Sequence, residues 1–242
     1  MDDLRAVVQE LIDAEPAPAE PGTVGWLSRL CGAATRSLSS AGVGLTLMAG
    51  DGVRGVVAAS DGVSRSLEEL QFTVGEGPCM DAYGTRAAVL EPDLVEATER
   101  WPAYSAAAYE KGVRAVFAFP MQIGTARLGV LDVYRQEPGP LSQEAIGRVE
   151  AFADAAVANL LDDQQAAAAG GAEAAATLAL QARLELYQAQ GMVTVQLEIG
   201  LDEAMARLRA YAYAEDLSLS QVAADIVGRR LHLGRDLPVS DV

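Results

Sequence analysis

The sequence predicts an α+β chain, an antiparallel sheet flanked by helices and followed by an all-α bundle of three helices. Strand-forming runs meet through hairpin turns with no helix between them, which speaks against a repeated β-α-β unit. The last quarter of the chain repeats apolar residues at helical spacing three times over. An Ala/Gly-rich stretch separates the two regions, and 242 residues, half of them hydrophobic, suffice for two ordinary domains.

Residues 1–21 hold a helical pattern over 2–13, on Leu4, Val7, Val8 and Leu11, followed by a Pro-rich loop. A helix over 23–39 places Leu27, Leu30, Cys31, Ala34 and Leu38 on one side, so Cys31 reads as a core thiol. Val43, Leu45 and Leu47 alternate with Gly44, Thr46 and Met48, and Asp51-Gly52 is a hairpin turn into a second strand over 53–60. Gly42 and Gly44 do not make a dinucleotide fingerprint, because Leu47 stands at the third glycine position and no helix follows. Next come a short helix over 64–71, a loop over 74–81, a brief strand at Val89 and Leu90, a helix over 97–111, and a second hairpin pairing 114–121 with 127–134. A helix over 141–161 closes the first domain, which spans 22–161. In the linker, 162–177, alanine favours helix and Gly170-Gly171 permits a hinge.

The C-terminal domain spans 178–233, with a tail over 234–242. Its first helix has two apolar rows, Leu180, Leu184, Tyr187 and Gly191 on one and Ala182, Leu186, Ala189, Val193 and Leu197 on the other. A two-residue offset is about 200° of rotation, so the rows lie on opposite faces. One row fills the bundle and the other is a partner surface, which predicts a homodimer through this helix. Gly200 ends the helix and Asp202 is expected to cap the next, whose stripe is Ala204, Met205, Leu208, Tyr211 and Ala212. Ser218 and Gln221 make a capping box ahead of Leu219, Val222, Ala223, Ile226 and Val227.

The net charge of −16 disfavours nucleic-acid binding by the chain as a whole, but residues 178–242 hold six arginines against nine acids, a net of −3. Lys111 is the only lysine, so every phosphate contact in the C-terminal region would be an arginine. Cys31 and Cys79 form no C-x-x-C pair and His232 is the only histidine, which leaves no disulfide framework and no zinc set of cysteines and histidines; no metal site is expected. The start Met1-Asp2-Asp3 has no basic n-region, and no apolar run approaches the roughly 18 residues of a membrane span, so a cytoplasmic chain without a membrane partner is expected.

Gly75-Glu76-Gly77-Pro78-Cys79, Glu91-Pro92-Asp93-Leu94, Arg100-Trp101-Pro102, Gly112-Val113-Arg114-Ala115-Val116, Phe119-Pro120-Met121 and Leu128-Gly129-Val130-Leu131-Asp132-Val133-Tyr134 resemble the GAF domain, a sensory fold with a ligand pocket over one face of an antiparallel sheet. That resemblance implies a small-molecule ligand and a pocket lined by Trp101, Tyr104, Phe117, Phe119 and Tyr134; it assigns no cofactor. Phe117 and Phe119 share a face of their strand. Cys79 reads as a small residue packed in a turn, since Glu76 and Asp81 disfavour its thiolate. A GAF-fold enzyme that reduces oxidised methionine would need a resolving cysteine, and only Cys31 is available, so no catalytic residue is expected.

Arg183, Ala189, Gln190, Gly191 and Met192, with Asp202-Glu203-Ala204, Leu208-Arg209, Tyr211-Ala212 and Val222-Ala223, resemble the ANTAR domain, a three-helix RNA-binding module of bacterial transcription antitermination regulators. Gln190 stands where that family most often has a basic residue, and Asp216, Leu217 and Ser218 where it tends to have an asparagine and basic residues. The resemblance implies a structured RNA leader or loop as partner, met by Arg183, Gln190, Arg207, Arg209, Tyr211, Tyr213, Arg229 and Arg230. Within this set Tyr213 lies about 140° around the helix from Leu208, outside the buried stripe, with Arg209 one turn before it. Arg229, Arg230, His232 and Arg235 also suit the helix C-terminus they follow. A helix-turn-helix over 202–232 would present Ser220, Gln221, Ala224, Asp225 and Gly228 to a DNA groove, an acid at its middle. The reading is a GAF sensor feeding an RNA-binding antitermination output; the alternative is the same sensor with a helical domain that binds a protein or DNA.

Overall fold

The computed structural model describes the backbone of residues 2–18, 20–48, 54–168 and 175–234, and the side chains of all these except 2, 3, 54, 166–168 and 175–183. Five strands, β1 (Gly42–Met48), β2 (Arg54–Ala59), β3 (Val89–Glu91), β4 (Ala115–Ile123) and β5 (Ala126–Arg135), form one sheet in the order β2-β1-β5-β4-β3, each neighbouring pair antiparallel. The expected turn at Asp51-Gly52 lies outside the described residues.

Strand alternation divides the interior into two layers. Val43, Leu45, Phe117, Phe119, Leu131 and Val133 face α1 (Asp2–Asp13), α2 (Gly22–Ser37) and α6 (Gln143–Ala168), where they pack on Val8, Leu30, Cys31 and Phe152. Met48, Val116, Ala118, Val130 and Tyr134 face α3 (Gly62–Val74), α4 (Pro78–Thr85) and α5 (Pro102–Glu110), where they pack on Leu67, Cys79, Tyr83 and Tyr104. Each fully buried apolar side chain of this kind is worth about 1.5–3 kcal/mol.

Several boundaries differ from expectation. Helix α5 begins at Pro102 instead of near 97, since proline suits a first helical position and biases Trp101 away from helix. The expected loop over 74–81 contains the start of α4, opened by Pro78. Asp61 caps α3 by accepting the Ser64 N–H at 2.8 Å, and Gly75, at φ +80°, ends it in the left-handed conformation. Gly200, not Asp202, is the N-cap of α8, and Asp202 lies in its first turn. Helix α6 runs on to Ala168, well into the expected linker, while Gly170-Gly171 lies outside the described residues.

The C-terminal helices α7 (Ala175–Leu197), α8 (Leu201–Ala214) and α9 (Leu219–Val227) form the expected bundle. Ala189, Val193 and Leu197 bury against Ala204, Leu208 and Ala212 and against Leu219, Val222, Ala223 and Ile226. The Leu186 row of α7 therefore faces inward, and Leu184 and Tyr187 stay outside, 59% and 40% exposed. The side chains of Leu178, Leu180 and Ala182 lie outside the described residues. The bundle rests on the first domain, α7 against β2 and α8 against α3.

Among the described residues no helix is long and apolar enough to cross a membrane. Both bonds of the capping box form: Ser218 Oγ accepts the Gln221 N–H at 3.1 Å and Gln221 Oε1 accepts the Ser218 N–H at 2.9 Å. Ser218→Ala should lower the stability of the chain by about 1 kcal/mol, measured by chemical denaturation, because it leaves a first-turn N–H of α9 without its acceptor.

Candidate functional site

Asp132 sits on β5, the middle strand, on the face turned to α3, α4 and α5. Its cross-strand neighbours are Gly44 on β1 and Ala118 on β4, both small, and the space they leave is taken by Glu68 from α3. A Cβ at Gly44 would fall on the Glu68 carboxyl. Both carboxyls are fully buried. Glu68 Oε1 accepts the Tyr134 hydroxyl at 2.6 Å and Oε2 accepts the Thr46 hydroxyl at 2.7 Å. Asp132 Oδ2 accepts Gln71 Nε2 at 2.9 Å, and Gln71 Oε1 in turn accepts the Cys79 N–H at 2.8 Å. Gly77, at φ +138°, allows this, since a Cβ there would meet the Gln71 side chain. Asp132 Oδ1 makes no hydrogen bond, and the Tyr104 hydroxyl, also fully buried, approaches that of Tyr134 without completing one.

Burial raises Asp132 well above the ordinary carboxylate range, and the charge of Glu68 adds to it. Glu68 is raised too, by burial, against the lowering effect of the Tyr134 and Thr46 hydroxyls. Two carboxyls this close do not ionise independently, and the pair keeps a proton above the pH at which an exposed carboxyl loses it. Burial likewise pushes the Tyr104 and Tyr134 hydroxyls up, with Asp132 and Glu68 contributing. Glu68, Cys79 and Asp132 each offer a ligating atom, and these atoms lie within 4.8 Å of one another, so the three are the described residues best placed to hold a metal ion.

The acids expected to face Cys79 are turned elsewhere. Glu76 Oε1 accepts the N–H groups of Ala103 at 2.7 Å and Tyr104 at 3.1 Å, capping α5 from a distance. Asp81 accepts Trp101 Nε1 at 3.2 Å and pairs with Arg100 at 2.7 Å, whose guanidinium lies 4.5 Å from the Trp101 ring centre. Carboxyls do surround the buried thiol, but they are Glu68 and Asp132.

The five residues expected to line one pocket fall on two faces of the sheet. Trp101, Tyr104 and Tyr134 belong to the layer that holds the acidic cluster, whereas Phe117 and Phe119 belong to the opposite layer with α1, α2 and α6. Sequence reasoning missed Glu68, Asp132, Gln71 and Thr46. The signal was an acid at an inward position of an apolar strand, Asp132 between Leu131 and Val133, and the row Ser64, Glu68 and Gln71 along one side of α3.

The expected RNA contacts do not share one face. Arg207 and Arg209 are about 200° apart on α8; Arg207 pairs with Glu203 at 3.2 Å, while Arg209 is turned to the first domain, its Nη1 3.0 Å from where a Cβ at Gly75 would stand. Desolvation lowers the pKa of Arg209 from its ordinary value, and its Nε is buried without a hydrogen bond. Gln190 Nε2 donates to the Leu201 carbonyl at 2.9 Å, tying α7 to the start of α8. Tyr211 is half-buried in the bundle, Arg230 is bonded to Asp225 at 2.7 Å, and Arg229 is exposed. The side chain of Arg183 and all of Arg235 lie outside the described residues. Tyr213 is 53% exposed and lines a cleft of about 580 Å³ between α8, α9 and the first domain, with Ser66, Glu69, Thr73, Glu110 and Gln221.

A family model described as the GAF domain matches residues 26–162. Comparison with curated proteins gives no match. Among solved structures, the GAF domain from a phosphoenolpyruvate-protein phosphotransferase of Coxiella burnetii is 15% identical, with a TM-score of 0.51, over 69% of this chain and 95% of that one. The corresponding domain from Acinetobacter is 13% identical with a TM-score of 0.49, over 69% of this chain and 95% of that one. Free methionine-R-sulfoxide reductase from Neisseria meningitidis, solved with its substrate, is 15% identical with a TM-score of 0.48, over 68% of this chain and 88% of that one. At these identities the likeness is one of fold, and the family match ends before α7 begins.

The raised Glu68 and Asp132 make stability depend on pH. The folded chain holds a proton that the unfolded chain releases near the ordinary carboxyl value of about 4, so their contribution is complete below that value and is lost as pH rises toward the folded one. Asp132→Asn removes the Asp132 share of this slope while keeping the shape, and leaves the share that burial of Glu68 contributes. The difference in Tm between the variant and the parent, measured with a chelator present, should therefore grow in favour of the variant as pH rises above about 4.

Proposed function

Because the chain belongs to the GAF domain family, we propose that it is a signal-responsive regulator: the buried site of the first domain senses a small ligand, and the α7–α9 bundle, an ANTAR-like module, binds an RNA leader or loop and prevents transcription termination. In this reading the chain is not an enzyme. The RNA assignment draws on the spaced residues of the bundle that resemble the ANTAR family, and the regulatory assignment on one observation, the position of α3.

Helix α3 serves both parts. From its inner side Glu68 and Gln71 enter the acidic cluster, and at its C-terminal cap Gly75 meets Arg209 of α8. A ligand that changes the cluster acts on α3 directly, and a packed helix responds by shifting between discrete arrangements, not by bending gradually. The docked α8 has a cost built in: an unmade hydrogen bond at a buried donor costs about 1–3 kcal/mol, and Arg209 Nε is such a donor. That unmade bond lowers the cost of releasing the bundle. When docked, Arg209 is covered and Tyr213 shares its cleft with Glu69 and Glu110, whose charges repel phosphate. When released, Tyr213 stacks on an unpaired base while Arg209 meets the backbone.

The chain acts as a homodimer in this reading. Leu184, Tyr187, Gly191 and Val195 fall within about 80° of one another on α7, and Leu184 and Val195 are 59% and 79% exposed. A stripe of that kind on a helix whose other side is buried suits a symmetric seam.

Crosslinking the protein in cells and sequencing the nucleic acid attached to it tests the assignment; recovery of DNA, or of neither nucleic acid, refutes it. Against the recovered RNA, Tyr213→Ala should lose roughly 1–3 kcal/mol of binding, about 5- to 150-fold, with Tm and assembly unchanged. Leu184→Asp should shift the sedimentation coefficient from dimer to monomer at micromolar concentration, and a parent protein that sediments as a monomer excludes the seam.

A further inference from the structure

We propose that Glu68, Cys79 and Asp132 form a binding site for a divalent first-row transition cation of the class of Zn²⁺ or Fe²⁺. The cation's role as the signal rests on the regulatory reading above; its binding does not.

The donors come from three separate elements, α3, α4 and β5, and converge with all ligating atoms within 4.8 Å of one another. Around a tetrahedral ion with metal–sulfur near 2.3 Å and metal–oxygen near 2.0–2.2 Å, neighbouring donor atoms stand roughly 3.3–3.7 Å apart, so small rotations of these side chains bring three donors onto one ion and leave the fourth position open. A second, independent observation points the same way: Tyr104, from α5, is fully buried, its hydroxyl has no hydrogen-bond partner, and it lies close enough to feel Asp132, Glu68 and Cys79 together. Asp132 Oδ1 is also buried and without a partner. Unsatisfied groups at this depth are rare in native proteins, and gathered around three ligating residues they point to an ion.

The surrounding contacts are those a metal site needs. Tyr134 and Thr46 orient the Glu68 carboxyl, and Gln71, fixed by the Cys79 N–H, orients Asp132. Leu67, Trp101, Tyr104 and Tyr134 are all buried in the apolar layer that holds the cluster, a setting that keeps bulk water from a bound ion. A thiolate among the donors favours a transition cation over Mg²⁺ or Ca²⁺. Binding releases to solvent the thiol proton and the proton held by the carboxyl pair, and the three anionic ligands leave the complex with a net charge of −1.

The test uses the full chain, freed of metal by a chelator and titrated with Co²⁺ as the probe. One Co²⁺ per chain should bind, with the near-ultraviolet charge-transfer absorption of a cobalt thiolate, and Zn²⁺ should displace it. Cys79→Ser should abolish that absorption, Cys31→Ser should preserve it, and Asp132→Asn should weaken binding at least tenfold. X-ray absorption of the Zn²⁺-loaded parent, which depends on no variant folding, should show one sulfur near 2.3 Å beside oxygens near 2.0–2.2 Å. No charge-transfer band, a band that survives Cys79→Ser, or a shell without sulfur overturns the site. A metal-free chain that still captures RNA separates failure of the cation from failure of the regulatory reading, and a chain that binds Co²⁺ but no RNA separates the reverse.

Discussion

Two carboxyls buried against each other in the middle of the sensor domain constrain most of what surrounds them. An isolated buried charge is prohibitively costly, so such a pair survives only with donors, a shared proton or a cation to offset it. The neighbours follow from that requirement. Thr46 and Tyr134 stand at inward strand positions as donors to Glu68, Gln71 reaches Asp132 from α3, and Gly44 and Ala118 are small because the Glu68 side chain must lie over the strands they occupy. Even Gly77, two residues before Cys79, leaves room for the Gln71 amide that accepts the Cys79 N–H. The loop, two helices and three strands of this half of the domain are registered to one polar centre inside an apolar layer.

That centre was poorly legible in the sequence, while the frame around it was plain. Alternation and turn residues gave the two hairpins, and the Ser218 and Gln221 pair marked the start of α9 to the residue. Periodicity sorted Leu208 and Ala212 inward and Tyr213 outward. What local pattern cannot supply is register between strands. It groups Phe117 with Phe119, but only the pairing of Val116 with Tyr134 and of Phe117 with Val133 decides that those phenylalanines turn from the acidic cluster. Asp132 interrupts an otherwise apolar strand and so reads as noise in a hydrophobicity count, although a buried acid is the more informative observation.

A second limit concerns surfaces covered by another part of the same chain. A helical wheel shows that Arg209 lies off the bundle's own stripe, and on that basis it reads as solvent-facing. Its covering comes from Gly75, more than a hundred residues earlier in the chain, through a contact that no periodicity of α8 encodes. Helix α6 runs past the expected end of the first domain to Ala168, and the bundle rests on that domain through β2 and α3.

Strand β2 ends one side of the sheet, and α2, α3 and α7 all pack against it. With α2 in the layer on one face and α3 in the layer on the other, α7 is left to shield the open rim, where unpaired N–H and C=O groups would otherwise invite strand addition from a second molecule. The opposite rim, β3, is only three residues long and needs less protection. Packing α7 against β2 thus removes from solvent an edge that the sheet alone does not close. A chain cut short before α7 would bare that rim, and would be expected to precipitate instead of behaving as an isolated sensor.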